Sequence, residues 1–468
     1  MSGFHTVEKI GGTSMTRFGD VMRNVVIGKR QGCELYNRIF VVSAYGGITN
    51  LLLENKKTGA PGIYGFFAKD SAEWRPALEK TREEMLRLNR TFEDIGLDVA
   101  KADEFVNQRL DGLIVSLENI MSLRTFGHFK PKEYLPAARE FLAAVGEAHS
   151  AYNSALILQA NGVNARFVDL SGWKSMENLD LDRAILKAFE GIDFAHEMPI
   201  VTGYVKCDQG IMKTFDRGYS EITFSKIAVL THAREGVIHK EFHLSTGDPK
   251  LIGEDKVQVI GNTNFDIADQ LSDMGMEAIH PKAAKEMEIQ NIPIRVKNAF
   301  DPEHPGTLIS RDYVSPVPRV EMICGRNDID AIEVHDPRMV GEPGYDHELT
   351  ASLKNNHISY IAKTTNANTI THFVSERAKT LDACLEEIRS KFPDSKVEIF
   401  KVGIISVIGT NMRVPGFLTR AAKALYDSKI NVLALDQTMR QVNIQFMVNR
   451  DDFKNAQIVL HREFVEKQ

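Results

Sequence analysis

The chain has 468 residues, of which 43% are hydrophobic and 26% charged, a composition typical of a globular protein with more than one domain. Its formal net charge of −6 gives no electrostatic basis for binding nucleic acid or an anionic membrane. The four cysteines lack C-x-x-C spacing, which argues against a zinc site. The sequence has no apolar run of about 18 residues, which argues against a membrane span. Together with the missing signal-peptide pattern, these features predict a cytoplasmic location.

The first predicted strand ends in a glycine turn that suits a phosphate group. Residues 7–15 read VEKIGGTSM, so Lys9, two glycines and two hydroxyls follow one another. Backbone N–H groups freed by glycine, a cation and hydroxyls all favour phosphate oxygens. The P-loop motif and a strand followed by G-x-G-x-x-G are both absent from the sequence. A surface turn with a solvated lysine would be about as common, so this motif alone does not establish a phosphate site.

The strands that follow also end in small residues or glycine. RIFVVSA (38–44) predicts a buried strand, and YGGITN follows it with Thr49 near a helix start. Further strands are predicted at 165–173, at 198–205 and after 236, with helices at 137–162 and 225–236. This alternation predicts an α/β fold with a mainly parallel sheet, in which ligands collect at the carboxyl ends of the strands.

Three segments that form or begin a helix carry charged residues with a structural and a functional interpretation. Residues 60–135 predict an inserted helical hairpin or bundle whose charged side faces solvent. Glu147 lies in a helical run, where it either faces solvent or holds a cation, and periodicity alone favours solvent. TFDRGYSEIT (214–223) places Arg217 beside a helix start, where Ser220 is either a simple cap or part of an anion site.

The last third of the chain contains an internal repeat. Four prolines between 298 and 320 predict a domain end and a linker. Beyond it, Pro343-Gly344 precedes Pro415-Gly416 by 72 residues, and Ile358 precedes Ile430 by the same offset. One constant offset across a turn, a helix and a strand predicts two copies of one structural unit.

Seven segments resemble, in order, the signature blocks of aspartate kinases in the amino-acid kinase family: VEKIGGTSM, VVSAYGGITNLL, VGEAHSA, TFDRGYSEIT, STGDPKLIG, MGMEAIHPKAA and IPIRVKNAFDPEHPGTLI. The repeat lies where that family carries two ACT domains. The segments FDRGYSEITFSKIA and IHKEFHLST resemble the group associated with ectoine synthesis. The resemblance implies an αβα sandwich with a mainly parallel sheet over 1–312. Two βαββαβ ACT domains would follow over 319–468, with repeat units around 335–375 and 402–450.

The same resemblance implies transfer of the ATP γ-phosphoryl group to the side-chain carboxylate of L-aspartate, with Mg²⁺ required. It assigns catalytic roles to Lys9 and Glu221, aspartate binding to Ser43, Thr49, Glu147, Arg217 and Ser220, and nucleotide binding to Lys9, Gly11, Gly12 and Lys250, with no protein-bound metal. Glu147 would pair with the α-ammonium group and Arg217 with the α-carboxylate of aspartate. The ACT domains imply a homodimer or higher oligomer, and an amino-acid effector at KTTNANT (363–369) is an open option.

Three positions depart from the family pattern. Glu221 replaces an aspartate, HKEFHLS (239–245) replaces T-D-V-D-G-[VI]-Y, and Glu277 replaces a lysine. Under one interpretation the nucleotide is held differently, with His239, Lys240 or Lys250 supplying the lost contacts. The alternatives are a catalytically weak ACT protein that senses amino acids, and a kinase for another carboxylate.

Overall fold

The computed structural model describes residues 3–126, 128, 130–275, 279–376 and 378–467. Its chain forms two compact units. The first consists of Met1–Leu244 with Ile279–Arg311, and the second of Ser245–Ala278 with Asp312–Gln468. The domain limits given by the resemblance, 1–312 and 319–468, stay a prediction.

The strands of the described residues are, in chain order, β1 (Thr6–Ile10), β2 (Arg38–Val42), β3 (Ala165–Val168), β4 (Met198–Thr202), β5 (Glu235–Lys240), β6 (Asn262–Asn264), β7 (Ile294–Asn298), β8 (Thr307–Ser310), β9 (Arg319–His335), β10 (Tyr360–Thr365), β11 (Thr369–Ser375), β12 (Lys396–Thr410), β13 (Val432–Gln437) and β14 (Asn443–Asn449).

The α-helices are α1 (Gly12–Thr16), α2 (Phe18–Val21), α3 (Ile48–Leu52), α4 (Ile63–Phe67), α5 (Trp74–Arg90), α6 (Val99–Arg124), α7 (Pro131–Ala160), α8 (Leu181–Phe189), α9 (Ile211–Phe215), α10 (Tyr219–Leu230), α11 (Pro249–Ile252), α12 (Phe265–Asp273), α13 (Pro281–Ile289), α14 (Tyr345–Asn355), α15 (Leu381–Lys391), α16 (Phe417–Asp427) and α17 (Phe453–His461).

The first unit is built on a mainly parallel sheet. Its strands follow the order β3-β4-β2-β1-β5-β7-β8, and only β8 runs antiparallel to its neighbour β7. All five residues of β2, RIFVV, are buried, as expected for a β-branched run in a sheet covered on both faces. The predicted α/β fold with a mainly parallel sheet is confirmed.

Helical segments lie on both faces of this sheet. Side chains alternate along a strand, so Glu8 and Lys9 point to opposite faces. Lys9 forms an ion pair with Glu221 on α10, while the partner of Glu8, Arg38, donates to the carbonyls of Val25 and Val26 in the helical stretch after α2. The expected helical insertion is also present, because α5 and α6 pack against each other as a hairpin.

The second unit contains an antiparallel sheet with the strand order β10-β11-β9-β12-β14-β13. Helices α14 and α16 begin after Gly344 and Gly416, whose φ angles of 100° and 112° lie in the left-handed region that glycine tolerates. The two helices and the strands β10 and β13 that follow them each keep the 72-residue offset. The predicted repeat of βαββαβ units is therefore confirmed.

Two apolar cores lie in the second unit, one for each repeat. Leu349, Leu353 and Ile388 belong to the first core, while Leu425 and Leu460 belong to the second. Both cores include residues of β9, which runs through the two repeats beside β12.

Candidate active site

Lys9 and Glu221 face each other at the carboxyl end of β1. The Lys9 Nζ lies 3.7 Å from Oε1 of Glu221, and the side chains are 8% and 17% exposed. The backbone N–H of His280 donates to the other carboxylate oxygen of Glu221. The Glu221 side chain is one methylene longer than the aspartate of the family pattern, and it still places its carboxylate beside Lys9.

Two glycine turns approach each other beside this ion pair. A Cβ added to Gly12 would lie 2.7 Å from the carbonyl oxygen of Ala44, so no larger residue fits there without a shift. The Thr16 hydroxyl accepts a hydrogen bond of 2.9 Å from the N–H of Gly46. Gly47 has a φ of 90° and immediately precedes α3. Both turns follow the carboxyl ends of neighbouring strands, as predicted.

Ser43 and Ser220 meet at the end of β2. Their hydroxyl oxygens are 3.4 Å apart. A Cβ added to Gly203, which follows β4, would lie 2.7 Å from the Ser220 Cβ and 3.2 Å from Oε1 of Glu147. The absence of a side chain at Gly203 therefore lets Glu147 and Ser220 approach the same point.

Glu147 is 3% exposed, so the expectation that it faces solvent is wrong. Every residue of α7 from Leu142 to Ala151 is buried. The reason is that α7 packs both on the sheet and on the inserted helix α6, which leaves no solvent-facing side for its periodicity to reveal. The Oε2 atom of Glu147 has no hydrogen-bond partner within the described part of the chain.

Burial raises the pKa of Glu147 to about 8, and the nearby Lys9 charge opposes this shift. The Tyr219 hydroxyl and the backbone N–H groups of Ala44 and Tyr204 also oppose the rise of this pKa. Since these interactions compensate the burial only partly, the ligand-free site holds Glu147 mostly in its protonated form near neutral pH.

The Arg217 guanidinium is fixed by the loop that contains α3. It donates to Oδ1 of Asn50 at 2.8 Å and to the carbonyl oxygen of Thr49 at 3.3 Å. The carbonyl oxygen of Glu54 accepts a further hydrogen bond. The Nε of Arg217 is buried without a partner among the described residues, so one donor of the guanidinium is unused.

The contacts above join Lys9 to Glu221, Ser43 to Ser220, Ser220 to Glu147 around Gly203, and Arg217 to Thr49. The following predicted residues all belong to the first unit: Lys9, Gly11, Gly12, Ser43, Thr49, Glu147, Arg217, Ser220 and Glu221. Lys250 belongs to the second unit, where it lies in α11, and its backbone N–H donates to the Asp248 side chain. Glu277, the third departure from the family pattern, falls outside the described residues.

His239 cannot replace a nucleotide contact on the Lys9 side. Its Nε2 lies 2.8 Å from Glu8 on the opposite face of the sheet. Lys240 follows on the next position of β5 and shares the Lys9 face, because Lys9 pairs with Ile238 across the parallel strands. Of the two candidates on β5, only Lys240 is placed to meet a nucleotide there.

Sequence reasoning missed three residues that shape the site. Tyr219 opposes the rise in the pKa of Glu147, Asn50 holds Arg217, and Gly203 makes room for both Glu147 and Ser220. Asn50 and Tyr219 stand next to predicted site residues in the chain. The role of Gly203 depends on neighbours distant in sequence, so no local pattern signals it.

Neither a metal cluster nor a membrane-spanning helix occurs among the described residues. Among them no group of three or more histidine, cysteine, aspartate or glutamate side chains is arranged to hold a metal ion. None of the helices formed by these residues combines the length and apolar character that a membrane span requires.

Comparison with known proteins identifies the family. The model of the amino acid kinase family matches residues 5–298, and aspartate kinase Ask_Ect of Stutzerimonas stutzeri is 48% identical over 99% of this chain and 98% of its own length. The chain belongs to the amino acid kinase family. An ACT domain model matches residues 405–464 of this amino acid kinase. The resemblance to aspartate kinases, including the ectoine-associated group marked in the relative's name, is thus confirmed.

Solved structures support the same fold for this amino acid kinase. Aspartokinase III of E. coli in complex with aspartate and ADP gives a TM-score of 0.74 at 21% identity, covering 98% of this chain and 99% of that one. The same enzyme in complex with lysine and aspartate also gives 0.74, at 20% identity and with the same coverage. At these identities the similarity shows the fold.

Proposed function

We propose that this chain is an aspartate kinase whose substrate pocket is formed by Glu147, Arg217, Ser43 and Ser220. The enzyme transfers the γ-phosphoryl group of ATP to the side-chain carboxylate of L-aspartate. A carboxylate oxygen forms a bond to phosphorus while the bond to the β-phosphate oxygen breaks, giving 4-phospho-L-aspartate and ADP. The carboxylate is already ionised at neutral pH, so the reaction needs positioning and charge neutralisation rather than a strong base.

One observation carries the substrate assignment. One acidic and one basic side chain each have a buried atom without a partner among the described residues, Oε2 of Glu147 and Nε of Arg217. Buried polar groups are costly when they have no partner. The α-ammonium and α-carboxylate groups of an amino acid would supply one partner to each. A substrate without an ammonium group would leave Glu147 unpaired, which argues against a simple carboxylic acid.

We assign the phosphoryl-transfer side to Lys9 and the glycine turn. The Lys9 ammonium would neutralise charge on the transferring group, and Gly11 and Gly12 would let backbone N–H groups approach the phosphates. Glu221, 3.7 Å away, would hold the Lys9 side chain in position. Mg²⁺ would arrive with ATP as part of the substrate. Lys240, which shares the Lys9 face of the sheet, is our candidate for a further nucleotide contact. The nucleotide role expected for Lys250, in the second unit, stays a prediction.

We propose a regulatory role for the second unit. A groove of about 350 Å³ is lined by Thr364, Thr365 and Asn366 of the predicted effector segment, and by Phe400 and Leu433. Its size suits an amino acid. Phe400 and Leu433 are 43% and 46% exposed, and a partner subunit would cover such apolar side chains in a homodimer. A cytoplasmic location stays a prediction, consistent with the four cysteines being free thiols.

The test is ATP turnover with L-aspartate and Mg²⁺, in which hydroxylamine traps the acyl phosphate as a hydroxamate. We expect hydroxamate that depends on both substrates and that is lost in Lys9→Ala. L-Glutamate and succinate are the matched controls, one with a longer side chain and one without an ammonium group. Aspartate binding without any product would support the amino-acid sensor instead. Faster turnover of a control acid would support a kinase for another carboxylate.

A further inference from the structure

We propose that a cavity on the face of the parallel sheet opposite Lys9 binds a small polycarboxylate or similar polyanion that also carries a hydroxyl donor. The cavity measures about 410 Å³ and lies wholly within the first unit, a volume typical of small-molecule sites. Thr6 and Glu8 of β1 line it, whereas Lys9, between Glu8 and the glycine turn, points to the other face. The cavity is therefore separate from the proposed aspartate pocket.

The floor of the cavity is a buried ion-pair network. The Arg38 guanidinium donates to both carboxylate oxygens of Glu8, at 2.6 and 2.9 Å, and His239 Nε2 lies 2.8 Å from Glu8. Although burial acts in the opposite direction, the Arg38 charge and the His239 hydrogen bond hold the pKa of Glu8 well below its usual range. The charge of Glu8 is therefore paired directly within this network, and Glu8 acts on Arg30 and Lys297 only at a distance.

Three further cations line the cavity without a carboxylate partner. Arg30, Arg234 and Lys297 form no ion pair with any carboxylate in the described ranges. Arg30 and Lys297 instead donate to the carbonyl oxygens of Val25 and Pro302, both at 3.0 Å. These contacts satisfy single N–H donors. Carboxylates act on the two cations only at a distance, Glu8 and Glu34 on Arg30, and Glu8 and Asp301 on Lys297.

The carboxylates of the lining are too few to balance these cations. Glu235 is paired with Arg295, whose Nε lies 2.6 Å away, which leaves Glu34 against the three cations. Burial and then the charge of Arg295 lower the pKa of Lys297, and burial and then Arg38 lower that of Arg30. The cavity thus concentrates positive charge that an anionic ligand would neutralise.

His239 adds a second requirement to the ligand. The residue is 4% exposed and lines the cavity, and its Nδ1 has no hydrogen-bond partner among the described residues. Burial lowers its pKa, so the ring is neutral. Because Nε2 donates to the Glu8 carboxylate, Nδ1 carries a lone pair and accepts hydrogen bonds. A hydroxyl group on the ligand would satisfy this atom.

Citrate is a suitable probe, since it offers three carboxylates and one hydroxyl, and tricarballylate is its matched control without the hydroxyl. Binding to the full chain is measured by calorimetry without Mg²⁺ and with saturating L-aspartate, which occupies the proposed substrate pocket. The test variants are Arg234→Gln, Lys297→Gln and their combination. Arg183→Gln, which removes a 78% exposed cation of α8 outside the cavity, is the control variant, and thermal unfolding checks that each variant is folded.

We expect one citrate per chain, and a loss of affinity of about tenfold for each removed cation, as for a charge-assisted hydrogen bond. Arg183→Gln should leave the affinity unchanged, and tricarballylate should bind several-fold more weakly than citrate. Absence of binding at millimolar citrate would overturn the proposal. An equal loss in Arg183→Gln would do the same, because it would reveal attraction to the general surface charge. Equal affinity for the two anions would overturn the role of His239.

Discussion

Replacement of Glu147 by glutamine tests the proposed substrate pocket most directly. Burial raises the pKa of this carboxyl group from 4.5 to about 8, a difference that corresponds to about 5 kcal/mol for ionising it in the empty site rather than in water. At pH 7 the group is therefore about 90% protonated before the ligand binds. Aspartate binding requires the carboxylate as partner for the ammonium group, so binding should release about 0.9 of a proton at this pH.

The expected consequence is an aspartate affinity that rises with pH up to about 8 and is then constant. In Glu147→Gln the proton release and this dependence should both disappear. The affinity should fall by about 2–5 kcal/mol, at least about 30-fold in Kd, because the ammonium group loses its charged partner. The neutral amide keeps the size of the side chain, so the fold should remain intact.

Calorimetry at pH 7 in two buffers of different ionisation enthalpy counts the released protons. Denaturant unfolding of the free protein is an independent check. The folded state binds the extra proton between pH 4.5 and about 8, so the contribution of Glu147 to the free energy of unfolding falls as pH rises through that window. Glu147→Gln should remove this slope. Equal heats of aspartate binding in the two buffers would refute the reasoning.

Three further predictions concern the same unit. Lys9→Ala should lower turnover by about 10²–10³-fold or more while calorimetry still detects aspartate binding; unchanged turnover would remove Lys9 from the mechanism. Gly203→Ala should cost about 1–3 kcal/mol in denaturant unfolding and raise the KM for aspartate, since the new Cβ would lie 2.7 Å from that of Ser220. Gly261→Ala, with nothing within 4 Å, is the neutral control, and equal stability of the two variants would contradict the packing argument. Arg38→Met should lower the free energy of unfolding by about 3–5 kcal/mol, because Glu8 would be left buried without its charged partner. Adding Glu8→Gln should restore part of this loss. A double variant no more stable than Arg38→Met would contradict the explanation by an unpaired buried charge.

The sequence allowed the strands and their carboxyl-end turns to be predicted, because runs such as RIFVV are β-branched and end in glycine or serine. The burial of Glu147 could not be predicted, since periodicity reports one covered face and α7 is covered on two. The side of the sheet that His239 faces depends on its register with Ile10. The cations that line the cavity around Glu8, on the sheet face opposite Lys9, come from distant parts of the chain. No local motif could therefore predict them.

Strands β9 and β12 have a consequence for the way the regulatory region unfolds. Each passes through both repeats, and they pair from Lys396–His335 at one end to Thr410–Arg319 at the other. Val320 and Ile323 of β9 stabilise one core, while Ile332 and Val334 stabilise the other. Unfolding of one repeat therefore breaks strands that the other repeat also requires. We expect the two repeats to unfold together in a single cooperative transition. We also expect that neither repeat folds when it is expressed alone.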